Sequence, residues 1–243
     1  MAIYEKIVGG QPSNIDALTG LGRLQLERGQ FAEAAKALRR IVTLQPGHLL
    51  GQALLGMALA RVGQPQEALA CFERATAAGN VLPVVLLHMA DVLGVLGRHA
   101  EALAIFDRLL AADPRNILAL NNRGLTLEAL GRDGEAADSF RHALALSPNT
   151  AEIHFSLGNV LSRLEHYEDA ANHYRRAMAA MPGFARGHAN LGNALAKLKR
   201  WDEALQSLRQ AIKLDAKQPN AIQLRLTIAT ALRHLQRESE SIA

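Results

Sequence analysis

Residues 157–182 read LGNVLSRLEHYEDAANHYRRAMAAMP, and residues 191–216, thirty-four positions later, read LGNALAKLKRWDEALQSLRQAIKLDA. Near-identity at a fixed offset marks an internal repeat, in which each unit buries its apolar face against the next. Sliding the 243-residue chain against itself by thirty-four gives ungapped units beginning at Ile15, Leu49, Pro83, Ile117, Ala151 and Ala185. The chain then divides into residues 1–14, the second half of an incomplete unit, and six units over 15–218. These units are 15–48, 49–82, 83–116, 117–150, 151–184 and 185–218, and residues 219–243 form a C-terminal capping helix and tail.

Two columns hold small residues: Ala34, Ala68, Ala102, Ala136, Ala170 and Ala204 in one, and Gly22, Gly56, Ala90, Gly124, Gly158 and Gly192 in the other. Small side chains at fixed places predict that two helix backbones approach closely there. Large residues recur at helical spacing around them, with Leu38, Phe72, Phe106, Phe140, Tyr174 and Leu208 in the second half of each unit. Gly29, Gly63, Gly97 and Gly131 fall midway through their units, and Pro46, Pro114, Pro148 and Pro182 fall near the ends. Each unit therefore reads as helix, turn, helix, stop. An acid just inside every second helix (Glu33, Glu67, Glu101, Glu135, Asp169, Glu203) suits the positive end of the helix dipole, a structural role and not a catalytic one.

Composition agrees with an all-α chain. Almost half the residues are apolar while only ten are aromatic, which favours close helix packing over a sandwich or barrel. The formal charge of +4, with no run of five like charges, gives nucleic-acid binding little support. Cys71 is the single cysteine, so no internal disulfide framework exists. The start, MAIYEKIVGGQPSN, lacks the layout of a signal peptide, and no apolar run is long enough to span a bilayer, so a cytoplasmic location without membrane insertion is expected.

The column pattern resembles the tetratricopeptide repeat, W-x2-L-G-x2-Y, then A-x3-F, then P, with Leu or His in the Trp place and mostly Leu in the Tyr place. The resemblance covers essentially the whole chain. It implies an α-solenoid, a right-handed superhelix of antiparallel helix pairs whose first helices line a concave groove.

On a wheel of about 100° per residue, unit positions 2, 5, 6, 9, 12 and 13 of the first helix lie opposite the signature face and are expected to face that groove. Units two and three place Leu50, Leu54, Met57, Leu87, His88 and Asp91 there, an apolar stretch with a polar edge. Units four to six place Asn121, Asn122, Asn159, Arg163, Asn190, Asn193 and Lys197 there, rich in amides and turning basic. Asparagine is a poor helix former, so five on one face invite a functional reading: an amide both donates to and accepts from the backbone of an extended peptide. Arg123 stands in a column that elsewhere holds Leu or Met, and its head is expected to snorkel toward the groove beside Asn122.

Two specialised relatives can be compared on these residues. The dicarboxylate clamp of chaperone-binding repeats needs Lys, Arg and Asn in the first units, where this chain has Asp16, Thr19, Gly20 and Arg23. The arrays of O-linked GlcNAc transferases and their bacterial SPINDLY-like relatives carry an asparagine ladder at unit position 6. Asn122 and Asn190 match it and Ser156 interrupts it, but the chain contains no glycosyltransferase domain.

Nine histidines give no metal-ligand spacing, and His154 and His188 stand in the large-residue column, where a packed, hydrogen-bonded role is expected. No nucleophile lies beside a base, so no catalytic residue, metal or cofactor is expected. Phe31, Tyr167 and Trp201 share a turn-packing place. At the C-terminus Arg225, Arg233 and Arg237 are expected on the outer face of a solvating cap. The expected function is a non-enzymatic scaffold that binds a peptide or partner protein in the groove. The alternatives are the recognition arm of a larger enzyme, or a homo-oligomer formed through the incomplete N-terminal repeat or the apolar groove.

Overall fold

Alanine, leucine and the straight-chain charged residues that dominate this chain are strong helix formers, and the described residues hold fourteen helices and no strand. The computed structural model describes residues 1–77, 79, 82–215 and 221–242, without the side chains of 221 and 237–242. Two compact units divide it, residues 1–114 and 115–243.

The first unit contains α1 (Ala2–Gly10), α2 (Ile15–Glu27), α3 (Phe31–Leu44), α4 (Leu49–Val62), α5 (Pro65–Thr76), α6 (Pro83–Val95) and α7 (His99–Ala112). The second contains α8 (Ile117–Ala129), α9 (Asp133–Leu146), α10 (Ala151–Arg163), α11 (Tyr167–Ala180), α12 (Ala185–Lys197), α13 (Trp201–Leu214) and α14 (Ala221–Ile242). Within each unit every helix packs on the next in sequence, and successive first helices also touch: α2 with α4 and α4 with α6, then α8 with α10, α10 with α12 and α12 with α14.

Local chemistry sets the ends. Asn14 and Asn116 cap α2 and α8 by accepting from the Ala17 and Ala119 amides at 2.9 and 3.0 Å, and His48 Nδ1 does the same for Gly51 on α4 at 2.9 Å. Proline begins α5 and α6, where its missing N–H costs nothing. The turn between paired helices needs one residue at positive φ: Gly29, Gly63, Gly97 and Gly131 supply it, and Glu165 and Lys199 take the same conformation at φ 63° and 60° in the last two pairs.

The core is built where the small column meets the large one. A Cβ on Gly56, Gly124 or Gly158 would lie 2.6–2.7 Å from the rings of Phe72, Phe140 and Tyr174. The glycines thus make room for the fully buried large side chain of the partner helix, and at Gly192 a Cβ would also lie 3.2 Å from the Ala204 carbonyl, so the two helix backbones come close there as well. The acid column is structural: Glu101, Glu135 and Glu203 pair with Arg98, Arg132 and Arg200, the residues before their helices, at 2.6–2.7 Å, and these bonds lower the carboxyl pKa values.

At the C-terminus Leu224 and Ala231 of α14 bury against α12 and α13, and His234 stacks on Trp201 with ring centroids 4.5 Å apart. Arg225 and Arg233 face solvent as expected, but Ile222 and Leu226 are exposed beside them, so this face is not purely polar. The Arg237 side chain lies outside the described residues.

Candidate functional site

In residues 1–114 the free positions of α4 and α6 form an aliphatic face. Leu50, Val84 and Val95 are 46%, 47% and 76% exposed, Met57, Leu87 and His88 are half-buried, and Asp91 is exposed. Leu54 does not belong to this face. It is only 9% exposed, on a helix that packs against α2 and α6 as well as against α3 and α5.

In residues 115–243 much of the polar set is engaged within the fold. Asn159 Oδ1 accepts from the Tyr174 hydroxyl at 3.0 Å and from Asn190 Nδ2 at 2.8 Å, tying α10 to its own partner α11 and to α12. Burial pushes the Tyr174 phenol well above its ordinary pKa, so it stays a donor. Arg163 bonds Asp133 at 2.8 Å and Glu128 at 3.0 Å, which raise its pKa and hold it as a clamp between α10 and the α8–α9 pair. Arg123 Nη1 donates to the Ser139 hydroxyl of α9 at 2.6 Å. Its head therefore reaches into its own helix pair, where the buried Ser139 offers an acceptor.

Asn121 and Asn122 bond each other at 3.0 Å and are half-buried. Asn193 is half-buried, and Arg186 and Lys197 are exposed; among the described residues none of the three has a side-chain partner. Phe155 and Phe184 meet edge to face, with centroids 4.7 Å apart.

The large-residue column holds a bond that sequence reasoning anticipated for the histidines and missed for glutamine. His154, His188 and Gln52 occupy one unit position, and each donates to the carbonyl of the proline six residues earlier, Pro148, Pro182 and Pro46, at 2.9–3.1 Å. The signal for Gln52 was its place in that column.

Among the described residues no group of three or more His, Cys, Asp or Glu is placed to hold a metal ion, and no helix is long and apolar enough to cross a membrane.

A tetratricopeptide-repeat model matches residues 53–114, 87–151 and 155–219, and a second one matches residues 1–58. The chain belongs to the tetratricopeptide repeat family. No curated protein matches it. Solved structures do. A subunit structure from the APC/C hetero-tetramer Cut9–Hcn1 has a TM-score of 0.72 at 18% identity over 95% of this chain, which spans 45% of that one. Pseudomonas aeruginosa PilF has a TM-score of 0.74 at 20% identity, covering 89% of this chain and 99% of its own. MamA from Desulfovibrio magneticus RS-1 has a TM-score of 0.64 at 22% identity, covering 69% and 97%. At these identities the likeness is one of fold, and repeat folds leave the ligand to the free positions.

Proposed function

We propose that the chain is a non-catalytic scaffold that holds a peptide or partner protein on its first-helix faces. The observation that carries this reading is the set Leu50, Val84 and Val95: three aliphatic side chains at free positions of α4 and α6 that the fold leaves about half or more exposed. Exposed aliphatic clusters at helical spacing on a repeat surface are what an amphipathic partner segment buries. In residues 115–243 the contacts would be polar, from Asn121, Asn122 and Asn193 with Arg186 and Lys197, and they suit main-chain amides and acidic side chains of the partner.

The recognition-arm alternative rests on the asparagine at unit position 6. Asn190 spends its amide on Asn159, which leaves that ladder less to offer than its sequence implied. Self-association has one specific support, the exposure of Ile3, Tyr4 and Ile7 on α1.

The test is a pull-down from soluble lysate of the source organism with the wild type and with a Leu50→Asp/Val84→Asp variant of equal melting temperature. A protein retained by the wild type and lost from the variant supports the reading. Equal retention by both removes the aliphatic face from it.

A further inference from the structure

The two repeats in residues 115–243 that carry histidine at unit position 4 differ at one contact, and a crevice lies at the difference. In the first, His154 Nε2 bonds the Pro148 carbonyl at 2.9 Å, and its Nδ1 lies 2.9 Å from Nδ1 of His173 on α11. The carbonyl can only accept, so Nε2 of His154 carries the proton and its Nδ1 accepts from the His173 N–H. Thirty-four residues on, His188 Nε2 makes the same bond to Pro182 at 3.1 Å. That bond fixes the ring in the same sense and leaves Nδ1 as an acceptor directed to the place equivalent to His173. Ser207 stands there on α13, and among the described residues nothing bonds His188 Nδ1.

A side chain four heavy atoms smaller leaves space. A crevice of about 320 Å³ opens between α11, α12 and α13, at the small end of the range for ligand sites. Met178 and Leu191 supply apolar walls, Ser207 and Gln210 supply hydroxyl and amide groups, and the Arg175–Glu203 pair, 3.0 Å apart, also lines it. These features match what the neighbouring repeat puts in the same place: a flat ring with apolar faces and one N–H aimed at a histidine acceptor.

We propose that this crevice binds a neutral imidazole ring, the histidine side chain of a partner or a free imidazole compound, whose N–H donates to His188 Nδ1. The site is independent of the first-helix faces. The ring takes the position that His173 fills in the preceding repeat, lies against Met178 and Leu191, and presents its second nitrogen to the Ser207 and Gln210 edge. Position 207 is the determinant: serine leaves the site open, and histidine would close it from within.

The experiment is an amide-resonance titration at pH 8, where imidazole is mostly neutral, using imidazole, 1-methylimidazole and the peptide Gly-His-Gly. Imidazole is expected to shift Ser207 and Gln210 saturably. The methylated ring, which has no N–H, is expected to bind roughly tenfold more weakly, as a lost hydrogen bond requires. Ser207→His should abolish the shifts by filling the crevice, and Ser207→Ala should keep them within about twofold. Gly-His-Gly binding at least as well as imidazole assigns the site to a partner's side chain, and binding by imidazole alone assigns it to a free ring. Equal affinity for imidazole and 1-methylimidazole overturns the proposal, as does undiminished binding by Ser207→His or the absence of saturable shifts with the unmodified protein. Because the two rings are compared on the unmodified protein, the outcome does not depend on either variant folding.

Discussion

His154 and His173 share one proton-bearing contact, Nδ1 to Nδ1 at 2.9 Å, between α10 and α11. Burial, then the neighbouring His154, Arg176 and Arg141, push the His173 pKa down to about 4, against the opposing pull of Asp169. An unfolded histidine titrates near 6.5, so between these values the unfolded chain binds the extra proton. The contribution is fully present above about pH 7 and is lost as pH falls toward 4. With the ring half-exposed, the loss is expected on the order of 1 kcal/mol, well below the full linkage value. His173→Ser, which installs the residue found at 207, should flatten the stability profile between pH 7.5 and 4.5 by that amount. Parallel denaturation profiles for the two proteins would remove the pair as a source of acid sensitivity.

Gly158 and Tyr174 form the tightest test of the small column. A Cβ on Gly158 would sit 2.7 Å from the Tyr174 ring, and that ring is pinned at its far end by the bond to Asn159 at 3.0 Å. It cannot swing away without breaking the bond, so Gly158→Ala is expected to cost about 2–3 kcal/mol. The same change at Gly22 meets the side chain of Leu38, which has no polar anchor and can shift within the core, and should cost about 1 kcal/mol less. Urea midpoints of the two variants measure the difference, and equal losses would mean that the tyrosine anchor adds no rigidity.

Glu165 and Lys199 hold the left-handed conformation that glycine holds in the four preceding turns. A side chain there carries a steric cost of about 1 kcal/mol that glycine avoids. Glu165→Gly and Lys199→Gly should each stabilise the chain by roughly 0.5–1 kcal/mol, reduced by the larger unfolded-state entropy of glycine. A thermal midpoint that falls in both variants would show that the side chains make compensating contacts.

The repeat register and four of the turns were legible because the period and the glycines at those places report backbone geometry directly, as at Gly131, while the Asn116 cap was read only from the structure. The sense of packing was not. A small column says that something comes close, and only the structure distinguishes the Tyr174 ring over Gly158 from a second backbone. The wheel orients a helix against its own partner but not against the next first helix. For that reason Leu54 reads as free and is buried, while Asn159 and Asn190 read as two free amides and bond each other. Arg163 escaped for a related reason: its partners Asp133 and Glu128 lie thirty and thirty-five residues away, beyond any local pattern.

Asn159 and Asn193, both on the amide-rich face, should therefore separate on substitution. Asn159→Ala removes the acceptor of both Tyr174 and Asn190 and leaves a buried hydroxyl unpaired, at an expected cost of about 1–2 kcal/mol. Asn193→Ala removes no bond among the described residues and should change stability by less than about 0.5 kcal/mol. If the face binds a partner through amides, the second substitution should weaken retention in the pull-down while leaving the melting temperature in place. A partner lost from Asn159→Ala and kept by Asn193→Ala would instead mean that this face acts through its fold, and that the contacts belong to Asn121, Asn122 or the basic pair Arg186 and Lys197.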